Sequence, residues 1–373
     1  MSRAAGRLIV FARALPRLLG KPWRRRPTVV RRILIAHHLL LGDTLMLTPL
    51  LAKLRRDYPD AAIVMACPKA VVPLYAARPY QVDAQPFDPR DAALVRGLIA
   101  AGPFDLAFVP GDNRYSWLAL AAGSRWIVAH AGDTGWKNLA VDELHPYPQV
   151  STAWGDIVAQ LQPGAAPAPY AAADWPAPPA EPFTPPVGTY AVLHLGASSA
   201  VKTWPAERWR ALAQHLALRG IQPVWSAGGK ETALIEAADP ERRFLSVAGA
   251  LDLPQLWHLL AGARLLVCPD TGVAHLGRIV GVPTLTLFGP GSPEASGGGE
   301  FWRQSPGQAL QHTDMPCRNQ QVLFRRQRDW LRRCGRGPTQ CLNWDGEHAL
   351  CMRSIDVATV LIRADQLIDE AEA

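Results

Sequence analysis

Residues 264–290 read RLLVCPDTGVAHLGRIVGVPTLTLFGP. An apolar strand, Arg264–Cys268, runs into Pro269-Asp270-Thr271-Gly272. A short helix follows, and a second apolar strand ends at Phe288-Gly289-Pro290. Asp270 stands where a helix N-cap belongs, and Thr271 and Gly272 supply the first free backbone N–H groups. A helix N-terminus offers unpaired donors and partial positive charge, so it suits a phosphate. Gly272 lets the backbone approach a ligand, and His275 lies about one turn in. A strand–helix–strand unit of this kind predicts a parallel sheet with an anion site at its carboxyl end.

Two regions open alike. Residues 31–38 (RRILIAHH) form an apolar strand, then a loop with Gly42-Asp43, then a helix over about 44–57. Residues 189–197 (TYAVLHLGA) form another strand, with a helix over about 206–219. Alternating strands and helices continue in both, the pattern of doubly wound α/β sheets. Strands are expected near 32–37, 62–67, 105–109 and 125–129, then near 190–195, 222–227, 244–247, 264–268 and 284–288. Between the halves, residues 163–186 hold nine Pro and eight Ala; this composition predicts an extended linker. The domains are therefore a basic arm (1–30), a first Rossmann-like domain (31–162), a linker (163–187), a second Rossmann-like domain (188–354) and a C-terminal helix (355–373). Residues 291–350 are expected to be irregular. Two such domains imply a ligand cleft.

The net charge of +7 over 373 residues is uneven. Residues 1–32 carry nine Arg, one Lys and no acid, and the remainder sums to −3. The arm is either a solvated, disordered tail or a contact for an anionic membrane surface. Its apolar run is too short to span a bilayer. Nucleic acid is not expected as a partner, because the body of the chain is not basic. A cytoplasmic protein is expected, one that could sit peripherally at the inner membrane face.

Six positions could carry chemistry. Asp43, just past a strand end, reads as a general base or as an N-cap for residues 45–46. In Gly196–Pro205 (GASSAVKTWP), Ser198 offers a hydroxyl donor. Lys202 there offers a full positive charge for a pyrophosphate leaving group, or is a surface lysine. Glu231 reads as a ligand for a ribose hydroxyl pair or as a first-turn acid favoured by the helix dipole. Asp270 and His275 could pair as orienter and base. No metal-ligand set at zinc spacing surrounds them and no Asp-x-Asp occurs, so a metal-independent site without cofactor is expected. Cys317, Cys334, Cys341 and Cys351 lie 17, 7 and 10 apart, which matches no Cys-x-x-Cys zinc site. Free thiols, a structural metal and disulfides all stay open there. The stretch Arg325–Arg336 (RRQRDWLRRCGR) is either a solvated face or a contact for an anionic acceptor.

Three segments together resemble glycosyltransferase family 9, the lipopolysaccharide heptosyltransferases: ILIAHHLLLGDTLMLTPLLAKLRRDYPDAAI (33–63), HLGASSAVKTWPAERWRALAQHLALRG (194–220) and VAGALDLPQLWHLLAGARLLVCPDTGVAHLGRIVGVPTLTLFGP (247–290). The resemblance implies a GT-B fold whose C-terminal helix crosses back to the first domain. It implies an inverting transferase moving heptose from ADP-L-glycero-β-D-manno-heptose to a lipopolysaccharide core or related glycan or glycolipid. Asp43 would deprotonate the acceptor hydroxyl and Lys202 would hold the diphosphate. Asp270, Thr271, Gly272 and His275 would complete the phosphate site, and Glu231 would take the ribose. Where the family carries a basic residue and then small ones before Gly-Asp, this chain has His37-His38-Leu39-Leu40-Leu41. That departure keeps two other readings: a non-catalytic sugar-nucleotide-binding protein, and a GT-B enzyme using another nucleotide sugar, such as an epimerase.

Overall fold

The computed structural model describes residues 3–371. The chain divides into two units. The first runs to Ala168 and takes back Val322–Asp329; the second comprises Pro169–Gln321 and the chain from Trp330 onward.

In the first unit, six strands form one parallel sheet: β1 (Arg32–Ile35), β2 (Ala62–Cys67), β3 (Val82–Pro86), β4 (Leu106–Val109), β5 (Trp126–His130) and β6 (Glu143–His145). Their order is β3-β2-β1-β4-β5-β6. The second unit repeats the plan with β7 (Tyr190–His194), β8 (Gln222–Ser226), β9 (Leu245–Ser246), β10 (Leu265–Pro269), β11 (Thr284–Phe288) and β12 (Gly307–Gln311). Its order is β12-β11-β10-β7-β8-β9, again parallel. The central strands are largely apolar because helices cover both faces: every residue of β7, β10 and β11 is buried. The strands that sequence periodicity does not announce are β3, β6 and β12. All lie at or toward a sheet edge, where little apolar surface is needed to bury them.

The helix expected over 44–57 is two, Leu41–Leu45 and Thr48–Asp57, broken where Pro49 seats itself in the first turn of the second. The arm is not a solvated tail. Arg3–Leu18 is a helix whose Ala14 is fully buried and whose Phe11 ring meets Trp117 at 5.1 Å. Arg17 donates to the Ala121 carbonyl at 2.8 Å, and Arg24 and Arg26 pair with Asp142 and Glu143 at 3.1 and 2.6 Å. The Pro/Ala-rich segment is extended but pinned. Lys53 and Arg56 donate to the carbonyls of Gly164, Ala165 and Ala166. Farther on, the Tyr170 hydroxyl donates to the Ile279 carbonyl at 2.7 Å and Trp175 packs on Trp257. The C-terminal helix, Val357–Glu370, lays Val360, Ala364, Leu367 and Ile368 into the core of the second unit, where the resemblance implied a crossing back to the first domain.

The stretch 291–350 is largely irregular, but two short antiparallel strands, β13 (Val322–Leu323) and β14 (Arg326–Gln327), belong to the first unit. Arg326 is 2% exposed. Its guanidinium donates to the carbonyls of Gly111, Ala131 and His130 at 2.7, 2.7 and 2.9 Å and to Asn113 Oδ1 at 2.9 Å. It also lies 5.0 Å from the Tyr147 ring centroid. At this position the basic stretch is therefore neither a solvated face nor an acceptor contact; it satisfies buried carbonyls at the carboxyl ends of β4 and β5.

Candidate functional site

In each sheet the strand order reverses beside the first strand, between β1 and β4 and between β7 and β10. Open α/β sheets bind ligands in the crevice outside the carboxyl ends at such a point. The expected site residues fall there.

In the second unit a cavity of about 330 Å³ is lined by residues that follow β7, β8, β9 and β10, among them His194, Ser198, Ser226, Glu231 and Thr271. Glu231 holds the β7 and β8 loops together: one carboxylate oxygen accepts from Ala197 N at 2.8 Å and the other from Gly228 N at 3.1 Å. It does not cap the helix it precedes, Thr232–Ala238. Gly196 is required by this arrangement, since a Cβ there would collide with the Glu231 carboxylate and the His194 ring. His194 ends β7 and meets Ser226 Oγ at 3.0 Å. Burial lowers its pKa to about 4, so it is a neutral imidazole at pH 7.

The helix after β10 starts one residue later than expected. Thr271, not Asp270, is the N-cap of Gly272–Val280, and its side chain accepts from Val273 N at 3.3 Å. The helix ends at Gly281, whose φ of 85° is a conformation L side chains rarely adopt. Asp270 is instead the partner of Lys202, whose Nζ donates to its carbonyl at 2.8 Å and to its carboxylate at 3.0 Å. A carboxylate so engaged aims the lysine at the helix end. His275 is buried behind the helix's first turn, and Arg278, one turn on, donates to its Nδ1 at 3.1 Å. Burial, then the charges of Arg278 and Lys202, push its pKa far below the ordinary value, which favours the neutral imidazole. Arg278 is half-buried, desolvation lowers its pKa to about 10, and its guanidinium lies 5.8 Å from the Trp302 ring centroid. The cavity thus collects Ser198, Glu231 and Thr271. Lys202, Asp270, Gly272 and His275 form the adjoining wall and do not line it.

In the first unit, Asp43 lies half-buried in the first turn of Leu41–Leu45, directly beyond β1. The N-cap of that helix is Leu40, so Asp43 occupies a helical position and not the cap. Its negative charge reaches Tyr147 electrostatically. A second cavity, about 730 Å³, lies at the same end of the sheet. Arg7, Arg90, Arg114, Lys137, Arg325 and His38 line it together with Phe11, Phe87, Tyr115, Trp117 and Trp136. No carboxylate is among the lining residues. Asp112 stands just outside. Burial alone would raise its pKa, but hydrogen bonds from Arg114 and Lys137 hold it at about 2. Sequence reasoning missed this cavity, because its cations come from Arg7 to Arg325. It also missed His194 and Arg278, although a polar residue closing an apolar strand and an Arg three positions after His275 were both visible signals.

The four late cysteines are free, and among the described residues no group of three or more His, Cys, Asp or Glu is arranged to hold a metal ion. No described helix is long and apolar enough to cross a membrane.

A sequence model of glycosyltransferase family 9 (heptosyltransferase) matches residues 161–326. Lipopolysaccharide heptosyltransferase 1 of Pseudomonas aeruginosa is 36% identical over 137 residues, 35% of this chain and 36% of that protein. Over residues 161–326 the chain is therefore similar to glycosyltransferase family 9. It spans about a third of the length of the curated relatives it first matches. Solved structures of the family share its fold at low identity. The family 9 protein from Veillonella parvula superposes with a TM-score of 0.68 at 17% identity, covering 91% of this chain and 97% of that one. The ADP-heptose heptosyltransferase II of Escherichia coli gives 0.67 at 19% identity, covering 92% and 100%. The fold is GT-B.

Proposed function

We propose that this chain is a family 9 enzyme, an inverting glycosyltransferase that moves heptose from an ADP-heptose donor to a hydroxyl of a lipopolysaccharide core or related anionic glycolipid, at the inner face of a membrane. The observation that carries the reading is the Glu231 carboxylate fixed by Ala197 N and Gly228 N at the β7/β10 reversal, with Thr271 and the Lys202–Asp270 pair adjoining. A nucleoside fits the cavity, its ribose hydroxyls donating to Glu231. Its diphosphate fits the Thr271–Gly272 helix end, where Lys202 neutralises the charge that develops as ADP leaves. Asp43 takes the proton of the acceptor hydroxyl as that oxygen attacks the anomeric carbon from the face opposite the diphosphate. The cations lining the first unit's cavity complement phosphate or carboxylate groups on the acceptor, and its aromatic rings suit sugar faces.

Thermal-shift and calorimetric titrations with ADP, UDP, GDP and CMP test the donor half, since a ligand of the folded state raises its melting temperature. Selective stabilisation by ADP is expected; preference for another nucleotide would replace the heptose donor. Incubation with ADP-heptose and a heptose-free core glycolipid tests transfer. The non-catalytic alternative, favoured by the bulky His37–Leu41 loop, predicts ADP binding with no product.

A further inference from the structure

The N-terminal helix Arg3–Leu18 carries a second apolar stripe besides the one it packs on the first unit. At about 100° per residue, Leu8, Ala12, Leu15 and Leu19 follow one another along a single stripe. Such a stripe normally faces the core. Here the core-facing side is a different one, carrying Gly6, Val10, Ala14 and Leu18, and a Cβ on Gly6 would press on the Pro89 carbonyl at 2.6 Å. The Leu8 stripe faces water: Leu8, Leu15 and Leu19 are 72%, 53% and 78% exposed. Trp23, beyond the helix, is 80% exposed. Lys21 donates to the Leu139 carbonyl at 2.8 Å, which sets the exposed Leu139 beside this end of the stripe. Exposed Arg7 and Arg13 flank the stripe on either side, and the exposed Arg25 follows Trp23.

We propose that this face is a membrane-docking surface. Leu8, Leu15, Leu19 and Trp23 enter the headgroup–acyl boundary of an anionic bilayer while Arg13 and Arg25 meet lipid phosphates. The helix is held rigidly on the first unit by Ala14, Phe11 and Arg17, so it binds without first having to fold. Large contiguous apolar surface of this kind marks an interaction site, and a Leu-and-Trp face edged by arginine is the composition of interfacial helices. Charge selects the occupant. Residues 1–32 hold ten cations and no acid, which attracts anionic lipid. The same charge repels a second copy docking through the same patch, as a two-fold dimer would require. The surface requires nothing of the transferase chemistry, so it stands or falls separately from the donor and acceptor readings.

The test is co-sedimentation of the full chain with vesicles of equal parts phosphatidylcholine and phosphatidylglycerol, with pure phosphatidylcholine vesicles alongside. The wild type is expected to pellet with the anionic vesicles and to be released by high salt. The triple variant Leu8→Ser, Leu15→Ser, Leu19→Ser should lose about tenfold or more in partitioning, because the transferred apolar area carries the binding. Its melting temperature and ADP affinity should be unchanged, because these side chains are exposed. Arg13→Gln with Arg25→Gln should lose roughly fivefold or more on anionic vesicles and nothing on neutral ones. The proposal is overturned if the wild type stays in the supernatant at low salt or if the triple variant pellets equally. It is also overturned if light scattering finds a dimer that the triple variant abolishes.

Discussion

The two units of this chain share one plan and differ in what they hang on it. Read from the outer strand on the side of the second strand, both sheets run third, second, first, fourth, fifth, sixth. Both therefore open a crevice beside their first strand. In the second unit that crevice is edged by interlocked polar groups: Glu231 tied to two backbone amides, and, adjoining it, Lys202 tied to Asp270. In the first unit it holds Asp43 and a cavity whose lining is basic and aromatic without an acid. Topology settles where a ligand goes, and the residues after each strand settle which ligand. A preorganised pocket with a fixed carboxylate suits one defined ligand. A cationic, aromatic one suits a larger anionic partner.

The sharpest way to break this comparison is Asp43→Asn. If the first unit supplies the base, transfer should fall by about 10³ while ADP affinity by calorimetry changes less than about twofold. Loss of ADP binding, or unchanged turnover, would remove the division of labour. Arg326→Ala tests the structural independence of the units. It strips four buried carbonyl and amide oxygens of their donor and should cost about 3 kcal/mol. Urea unfolding should show the loss in the first unit's transition only, with the ADP-stabilised transition unmoved.

A third measurement asks whether the two interiors respond alike to acid. His37 in the first unit is held at about 3, and His194 in the second at about 4, both through burial. A lowered folded-state pKa means the unfolded chain binds more protons below pH 6.5. Stability is then complete above that pH and lost as pH falls toward 3–4. At pH 5 each imidazole should cost about 2 kcal/mol, visible as a fall in the urea midpoint. His194→Gln should flatten that dependence in the second unit alone. Smallest is Glu231→Gln, which keeps the shape and one accepted bond but sets its NH2 donor against the other backbone N–H. ADP affinity should drop about tenfold, near 1.4 kcal/mol, with the acceptor's KM unchanged.

Much of this plan was legible from residues alone. The buried strands β1, β2, β4, β7, β8, β10 and β11 announced themselves because burial on both faces demands uninterrupted apolar runs. That Ser198, Glu231 and Thr271 would line a crevice was legible because residues just past buried strands lie at its mouth. Asp270 was misassigned by one position: Asp and Thr both cap helices, and only the ion pair with Lys202 decides between them. The edge strands escaped because they bury little. The first unit's cavity escaped because Arg7, Arg90 and Arg325 have no local pattern; they are neighbours only after the chain has folded. The N-terminal helix was seen as charge, and its outward Leu stripe became visible only once Ala14 marked the inward side.

One feature bears on how the protein is made. The hairpin bearing Arg326 completes the first unit, yet it leaves the ribosome after residues 169–321. At ordinary elongation rates that is a delay of roughly ten to thirty seconds after the rest of the unit has emerged. During that interval the carbonyls of Gly111, His130 and Ala131 have no guanidinium to accept from. The N-terminal half must wait, incompletely sealed, while its successor is synthesised. A fragment ending at Ala168 would carry that defect permanently, so expression of the first unit alone calls for the hairpin to be grafted back.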